Sequence, residues 1–434
     1  MFCYKLKISE ITNAQLPDLS GLSFLRVFIP STAGNALVLP IPEASRRRQQ
    51  IYRGLSWSLM AFLTLALLYD IYDVIEGHYR DDILKTAFEK SEPIIALMSF
   101  CHSQLALFMA GYSVAFLLVK RTDLHKCCTT IEDLAKELEV KRPTIEKNLS
   151  RLRWCFWILI TFGIGAIISL VDLDFYSKFT ASRPYGFFSI PNGALNLYVR
   201  GTVCCCYLIH FTVQSLFAYF CDVLLACSEE LRNQSSAFLC ELELKPEIEI
   251  SDIFFRDKLR LWLHENEQLT AGFDQVQETF CWKLLLDIGA LSLAMCMMLA
   301  VISKWILITG LGEPGEFSIW NLAIFLRYLI YTAVYVLCGW MVLFRPVMLY
   351  QMHRRRSGIL DKVVCVAQTT AIKKSTRSDI LLTAVLMHRL NANQMLFNAG
   401  GVVTLGTTVL CTISVTIFGF AWFVLDRSLD FVLR

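Results

Sequence analysis

Seven stretches of the chain are apolar for long enough to cross a bilayer, and this constrains its fold more than any other property. They are Gly54–Ile75, Pro93–Val119, Trp154–Val171, Leu195–Ala226, Leu284–Ile308, Ile319–Leu349 and Met395–Leu425, each close to or above the roughly 20 residues that a spanning helix needs. The second, third and seventh carry no charge, and the first only Asp70 and Asp73 at its end. The fourth holds Arg200 and Asp222, the fifth Asp287 and Lys304, and the sixth Arg327 and Arg345, which leaves uncharged interiors of 21, 16 and 17 residues. Composition agrees: of 434 residues 55% are hydrophobic and 18% charged, where a soluble domain carries about 25% charged, and mean hydropathy is +0.49. A net charge of +3 with 30 Phe and 21 Gly excludes a disordered chain and a basic nucleic-acid-binding module. The expected fold class is all-α, a polytopic membrane protein with seven transmembrane helices.

Basic residues near span ends set the expected orientation. Arg46, Arg47, Arg48 and Arg53 precede span 1, Lys120 and Arg121 follow span 2, Arg151 and Arg153 precede span 3, and Arg354, Arg355 and Arg356 follow span 6. All of these fall on one side, so the N-terminus is expected in the cytoplasm and the C-terminus outside. No apolar core or cleavage site marks the first residues as a signal peptide, so span 1 serves as its own insertion signal. None of the 16 cysteines lies in an expected outer loop, where disulfides form, and the sequons at Asn148 and Asn233 lie on the inner face. Inner segments of 53, 34, 57 and 45 residues outweigh outer loops of 17, 23 and 10. The chain thus divides into a cytoplasmic segment 1–53, helices 1–6 with inner loops over 54–349, a cytosolic helical anchor segment 350–394, and helix 7 with a short outer tail over 395–434. Ile131, Leu134, Leu138 and Ile145 recur at helical period, Leu259, Leu261, Leu263 and Leu269 punctuate a charged stretch, and Asp379–Leu390 is apolar over most of its circumference. Spans 4, 5 and 6 are therefore expected to continue below the membrane and pack with that last stretch as a cytosolic bundle.

An inner N-terminus is opposite to the G-protein-coupled receptor arrangement, and span 3 lacks Asp-Arg-Tyr while span 7 lacks Asn-Pro-x-x-Tyr. The final 50 residues are more informative. Phe397-Asn-Ala-Gly-Gly-Val-Val-Thr-Leu405 is followed, without a gap, by Gly419-Phe420, five apolar residues Ala421 to Leu425, and Asp426-Arg427. With the inverted topology and heavy inner loops, this resembles the insect chemoreceptor superfamily of gustatory and odorant receptors. There the last helix follows apolar-Ala-x-Gly-Phe-Phe-Thr-Leu and ends in Thr-Tyr, five apolar residues, then Gln-Phe. The first element matches well; in the second only the spacing and an aromatic survive. The resemblance implies a gustatory-receptor-like protein that assembles as a homo- or heterotetramer around a pore lined by the seventh helix. It also implies a small-molecule pocket in the outer half of the other helices, and passage of cations when the last helix moves.

Residues inside the spans supply candidates for both sites. Thr404, Thr408 and Thr412 recur every four residues, advancing about 40° per step along a helix, and Gly400, Gly401, Gly406 and Gly419 thin it. Such a stripe suits a wet pore or close helix packing. Phe420 and Asp426 complete the pore-lining candidates; four copies of Asp426 would form a carboxylate ring at the outer mouth, whereas its alternative is a solvated end charge beside Arg427. Arg200, Tyr207, His210 and Gln214 share one face of span 4, and Trp320, Arg327, Tyr331 and Tyr335 one face of span 6. These polar-aromatic faces suit a sugar, another polyol or an anion; the alternative is arginines reaching the headgroups within an interfacial aromatic belt. His102 and Gln104 read as interhelical hydrogen-bonding groups, Lys304 as an outer-end cation, and Asp287 as an inner-end residue near Lys283.

Other chemistry is not indicated. Cys127-Cys128 and Cys204-Cys205-Cys206 lack metal-ligand spacing, so no metal or cofactor is expected, and free thiols are favoured over palmitoylation at Cys127 and Cys128. His353-Arg354-Arg355-Arg356 is expected to meet anionic lipid. No catalytic constellation lies in the spans, and spans 1–3 do not repeat in 4–6 as an inverted-repeat transporter would. Three classes remain: a ligand-gated cation channel, a non-conducting receptor-like or accessory membrane protein, and a small-molecule transporter. The expected partners are a small-molecule ligand, cations, the bilayer of the plasma membrane and sister subunits, with no nucleic acid.

Overall fold

The structure is a computed structural model that describes residues 192–244, 252–311, 319–371 and 395–432, the stretch 111–138 except 118, and scattered helical positions within 50–68, 105–109, 150–161 and 384–388. Most of spans 1–3, the outer loops, the Arg46–Arg48 cluster, Asn148, Ile145, His102, Gln104 and nearly all of Asp379–Leu390 lie outside these described residues.

Helix dominates. In chain order the elements are α1 (Arg121–Glu137), α2 (Asn192–Leu244), α3 (Asp252–Leu311), α4 (Ile319–Gly339), a π-helical turn (Trp340–Phe344), α5 (Arg345–Ala371), strands β1 (Asn398–Ala399) and β2 (Val403–Thr404), and α6 (Thr407–Val432). The 53 residues of α2 and 60 of α3 make rods of about 80 and 90 Å at 1.5 Å per residue. Neither contains a proline; Pro191 directly precedes α2, and Pro246 and Pro314 follow α2 and α3, where a missing N–H and a fixed φ stop helices. Pro346 has the opposite effect inside one. It offers no N–H to the Val342 carbonyl and crowds it, and the widened π turn stands immediately before it.

Three helical stretches among the described residues, His210–Glu241, Asp257–Leu299 and Leu329–Val363, are long and apolar enough to cross a membrane, and Thr407–Phe423 is a shorter apolar helix. Helices suit that setting because they satisfy their own backbone. Trp282, Leu286 and Leu293 on α3 and Leu329 and Val336 on α4 stay exposed, as a lipid-facing surface requires.

α2 and α5 run side by side, and α3 runs antiparallel to them. Where α1 crosses α3, Gly272 lets the backbones close: a Cβ there would lie 3.2 Å from Leu134 Cδ2 and 3.4 Å from Ile131 Cδ1. Leu124, Cys127, Cys128, Ile131, Leu134 and Leu138 form the buried face of α1. Leu259 and Leu269 are buried on α3, but Leu261 is exposed, because two residues along a helix is a 200° turn. Rings fill the centre: Phe217 stands 5.1 Å from Phe280 and 5.3 Å from Phe397, and Phe397 4.7 Å from Phe273.

The start of the seventh apolar stretch departs from expectation. It is not helical until Thr407. Residues 398–404 form a tight hairpin in which Asn398 pairs with Thr404 and Ala399 with Val403. Gly400 and Gly401 occupy its tip with φ of +61° and +74°, the two positive angles that a type I′ turn demands. Gly400 is also where the hairpin meets α3. Its N–H donates to the Cys281 carbonyl at 2.9 Å, and a Cβ there would come 2.5 Å from Leu285 Cδ2. Gln277 completes the attachment, donating to the Asn398 carbonyl at 2.6 Å and accepting from its N–H at 2.9 Å. Gly400, Gly401 and Gly406 therefore shape a turn instead of thinning a helix, and Thr404 belongs to β2, off the helical stripe.

The basic run after span 6 also divides. Arg354 and Arg355 are exposed, but His353 and Arg356 are buried, so only half of the cluster is available to a lipid surface; positions three apart share the inward face of α5.

Candidate functional site

Two arrangements carry chemistry: a polar cluster within the helix bundle and an exposed stripe on the last helix. The cluster forms where the 111–117 helix, α2 and α3 meet. Lys283 and Asp287, one turn apart on α3, are buried and joined by two 2.8 Å contacts from Nζ to both carboxylate oxygens. The Tyr112 hydroxyl donates to the same carboxylate, and Lys283 Nζ lies 4.8 Å from the Tyr112 ring centre. That ring stands edge-on to His210 at 5.8 Å, and His210 Nδ1 is 2.7 Å from the Ser113 hydroxyl.

This places Lys283 and Asp287 level with His210, the residue at the middle of the expected fourth span. A buried charge needs a partner, and the i, i+4 spacing supplies one on the same helix. A second pair lies further along the bundle: Arg345 donates to Asp222, and its guanidinium stacks 4.0 Å from the Trp340 ring centre. The π turn presents that ring.

His210 and Gln214 sit on successive turns of α2 with their side chains in the core, at 0% and 1% exposure. Unlike the charged pairs they are incompletely satisfied. His210 Nε2 and both amide atoms of Gln214 have no hydrogen-bond partner, an imbalance that native interiors avoid unless another polar group completes it. Tyr331 and Tyr335 on α4 are buried in the same core. Arg200 and Tyr207 belong to α2 and Trp320 and Arg327 to α4, but their side chains lie outside the described residues. Of the eight ligand-binding candidates, His210, Gln214, Tyr331 and Tyr335 are thus buried; sequence reasoning did not single out Tyr112 or Ser113, and noted Asp287 only as a neighbour of Lys283. Only the four-residue spacing of that pair was a visible signal.

α6 packs against α3 along one side. Ile417 and Ala421 are buried there, and Val409 and Ile413 are partly buried against the core. On the opposite side Thr408, Thr412, Val415, Gly419, Trp422 and Asp426 are exposed, and at 100° per residue all six fall within about 40° of the Thr408 direction. Phe420 turns about 120° from Thr408 onto the packed flank and is half-buried, so Trp422 is the aromatic of the exposed stripe. Thr412 and Thr416 donate their hydroxyl protons to the carbonyls of Thr408 and Thr412, each at 2.9 Å. Their protons are thereby engaged, so each oxygen is left as an acceptor; Thr416 lies about 80° from the Thr408 direction, beside the stripe.

No group of His, Cys, Asp and Glu able to hold a metal ion occurs among the described residues. The thiols of Cys127 and Cys128 on α1 are buried; loss of solvent pushes the Cys127 thiol up to about 11 and Cys128 higher still.

No protein-family model matches the sequence, and no curated protein is similar to it. The fold, by contrast, has solved counterparts. The chain is similar to the insect olfactory receptor OR5 from Machilis hrabei in complex with eugenol, with a TM-score of 0.62 and 11% identity over 94% of this chain and 100% of that one. It is also similar to that receptor's structure described without eugenol, with a TM-score of 0.59 and 12% identity over 94% and 96% of the two chains. The insect olfactory receptor fold is therefore the fold of this chain, shared almost end to end at an identity too low for sequence comparison.

Proposed function

We propose that this chain, built on the insect olfactory receptor fold, is a gustatory-receptor-like subunit of a ligand-gated, non-selective cation channel in the plasma membrane. It crosses the membrane seven times, with the N-terminus inside and the C-terminus outside, and four subunits surround a pore lined by α6. The observation that carries this is the two-sided character of α6. Its aliphatic side meets α3, while the opposite side presents an exposed row from Thr408 to Asp426 that includes two threonine hydroxyls and a terminal carboxylate. Oxygen acceptors and an acidic ring favour cations over anions.

The ligand site of this reading is the interior cluster. His210 Nε2 and the Gln214 amide are buried polar atoms without a hydrogen-bond partner, set in an apolar and aromatic core beside Ser113, Tyr112 and the Lys283–Asp287 pair, and a few polar groups in an apolar setting suit a small-molecule site. Tyr112 stands against His210, and Tyr331 and Tyr335 belong to the same core. Binding of eugenol by the Machilis hrabei receptor supports a small-molecule ligand for this chain; a polar tastant such as a sugar fits the unsatisfied amide.

The test is expression of the full chain in cells, with whole-cell current recorded against a panel of small polar and aromatic compounds. A ligand-dependent cation current that is lost in Gln214→Leu at normal surface expression supports the proposal. Ligand-independent surface expression with no current would sink it in favour of a non-conducting receptor, and saturable uptake without current in favour of a transporter.

A further inference from the structure

The polar end of the bundle holds a second buried set of unsatisfied groups, remote from the cluster around His210. Its position follows from the helix register. Leu360 and Val363 on α5, Leu259 and Trp262 on α3 and Phe238 on α2 form a separate apolar cluster, in which Phe238 meets Trp262 edge-on at 5.4 Å. Because α3 is antiparallel to α5, one turn up from this layer brings Asn266 on α3 level with Arg356 on α5. Both are 1% exposed. Arg356 Nε and Nη1, both amide atoms of Asn266 and the Trp262 indole N–H have no hydrogen-bond partner.

Glu265 is the acid within electrostatic reach of Arg356. It does not complete the site: its own Oε2 is buried without a hydrogen bond, and its leading charge interaction is with Lys258, whose Nζ lies 5.9 Å from the Trp262 ring centre. Glu265 is thus shared between Lys258 and Arg356, and one net positive charge remains among the three side chains. A buried guanidinium without a bonded anion is among the least favourable states a folded interior can hold. The donors around it come from Arg, an indole and an amide, the groups that recognise multi-oxygen anions.

We infer that the Arg356, Asn266 and Trp262 layer is a binding site for a phosphate-bearing anion, separate from the small-molecule site in the bundle core. Arg356 supplies the charge, Trp262 and Asn266 supply neutral donors, and the Phe238–Leu360 layer closes the site on one side. The anion joins α3 to α5, so its occupancy stabilises the polar end of the bundle. A soluble phosphate compound and a phosphorylated lipid headgroup share this chemistry.

The full-length protein in phosphatidylcholine nanodiscs is titrated with inorganic phosphate, and in a second arm is reconstituted with phosphatidylinositol 4-phosphate, with thermal unfolding followed in both. A rise in the unfolding midpoint is expected with the anion present, and the arm that produces it identifies the source. Arg356→Gln and, as a second variant that leaves the charge in place, Asn266→Leu each weaken the effect at least tenfold. Arg354→Gln and Arg355→Gln, on the exposed side of the same helix, change it less than twofold. No midpoint shift in either arm, which is the result for a site filled only by water, overturns the inference, as does equal loss from the exposed arginines. Neither readout uses current, so failure here leaves the channel proposal standing, and the converse also holds.

Discussion

At Gln214 stability and function are expected to part company. Its amide is buried with neither atom bonded, so replacing it with leucine removes a desolvated polar group and is neutral to stabilising by up to about 1 kcal/mol. The same change removes the donor and acceptor offered to the ligand. A purified Gln214→Leu protein should therefore melt at or above the wild-type temperature while ligand-evoked current falls at least tenfold; a lowered melting temperature would show that the amide is structurally satisfied. Gly400 is the contrary case. Alanine there meets both a positive φ and Leu285, and should cost about 2 kcal/mol or more, read as reduced surface expression and an earlier thermal transition. Cys127 and Cys128 are expected to react with maleimide at pH 7 at least ~10-fold more slowly than exposed Cys240 and Cys365, since raised thiol pKa values leave little thiolate. Residue types at these positions are visible in the sequence, but their meaning depends on which helix faces which. The Gly400-Gly401 pair could be read as thinning a helix or turning a hairpin until the Gln277 and Cys281 attachments are in view.

Among the elements, α2 and α5 are joined across their shared apolar core by charges that the sequence places in separate spans. Asp222 and Arg345 look like isolated liabilities when each span is considered alone, yet they neutralise one another across α2 and α5. Loss of one partner should cost about 3–5 kcal/mol, whereas Asp222→Leu combined with Arg345→Met should recover most of it, because both charges then leave the interior together. A double-mutant cycle on surface expression or melting temperature checks this, and simple additivity would contradict it. Helix existence is the most legible property of the chain: among the described residues the fourth, fifth and sixth apolar runs and the periodic face of α1 are helical, and the seventh is helical from Thr407. The pairing of helices is not legible, since contacts such as Tyr112 with Asp287 or Gln277 with Asn398 join residues 175 and 121 positions apart and leave no periodic trace. The helix boundary at Thr407 is hidden for a different reason, namely that an apolar hairpin and an apolar helix have the same composition.

On the scale of the molecule, the exposed stripe of α6 is incomplete in a single subunit. Trp422, Phe418 and Val415 present apolar surface beside Thr408 and Asp426, and the channel proposal requires three further copies to enclose it. The protein extracted in mild detergent should migrate as a tetramer by light scattering, and a cysteine at position 415 should cross-link between subunits; a monodisperse monomer would remove the pore. In that tetramer Asp426→Asn should lower single-channel cation conductance by about twofold or more, consistent with loss of a charged ring. α3 is a single uninterrupted rod of about 90 Å, which carries Asn266 near one end, the Lys283–Asp287 pair further along, and the hairpin anchor at Gln277 and Cys281 between them. Pivoting such a rod by one degree about either end displaces the other by about 1.5 Å, half the width of a water molecule. Because the hairpin that leads into α6 is fastened to this rod at Gln277 and Cys281, the channel proposal expects a displacement at the Asn266 end to be felt at the pore.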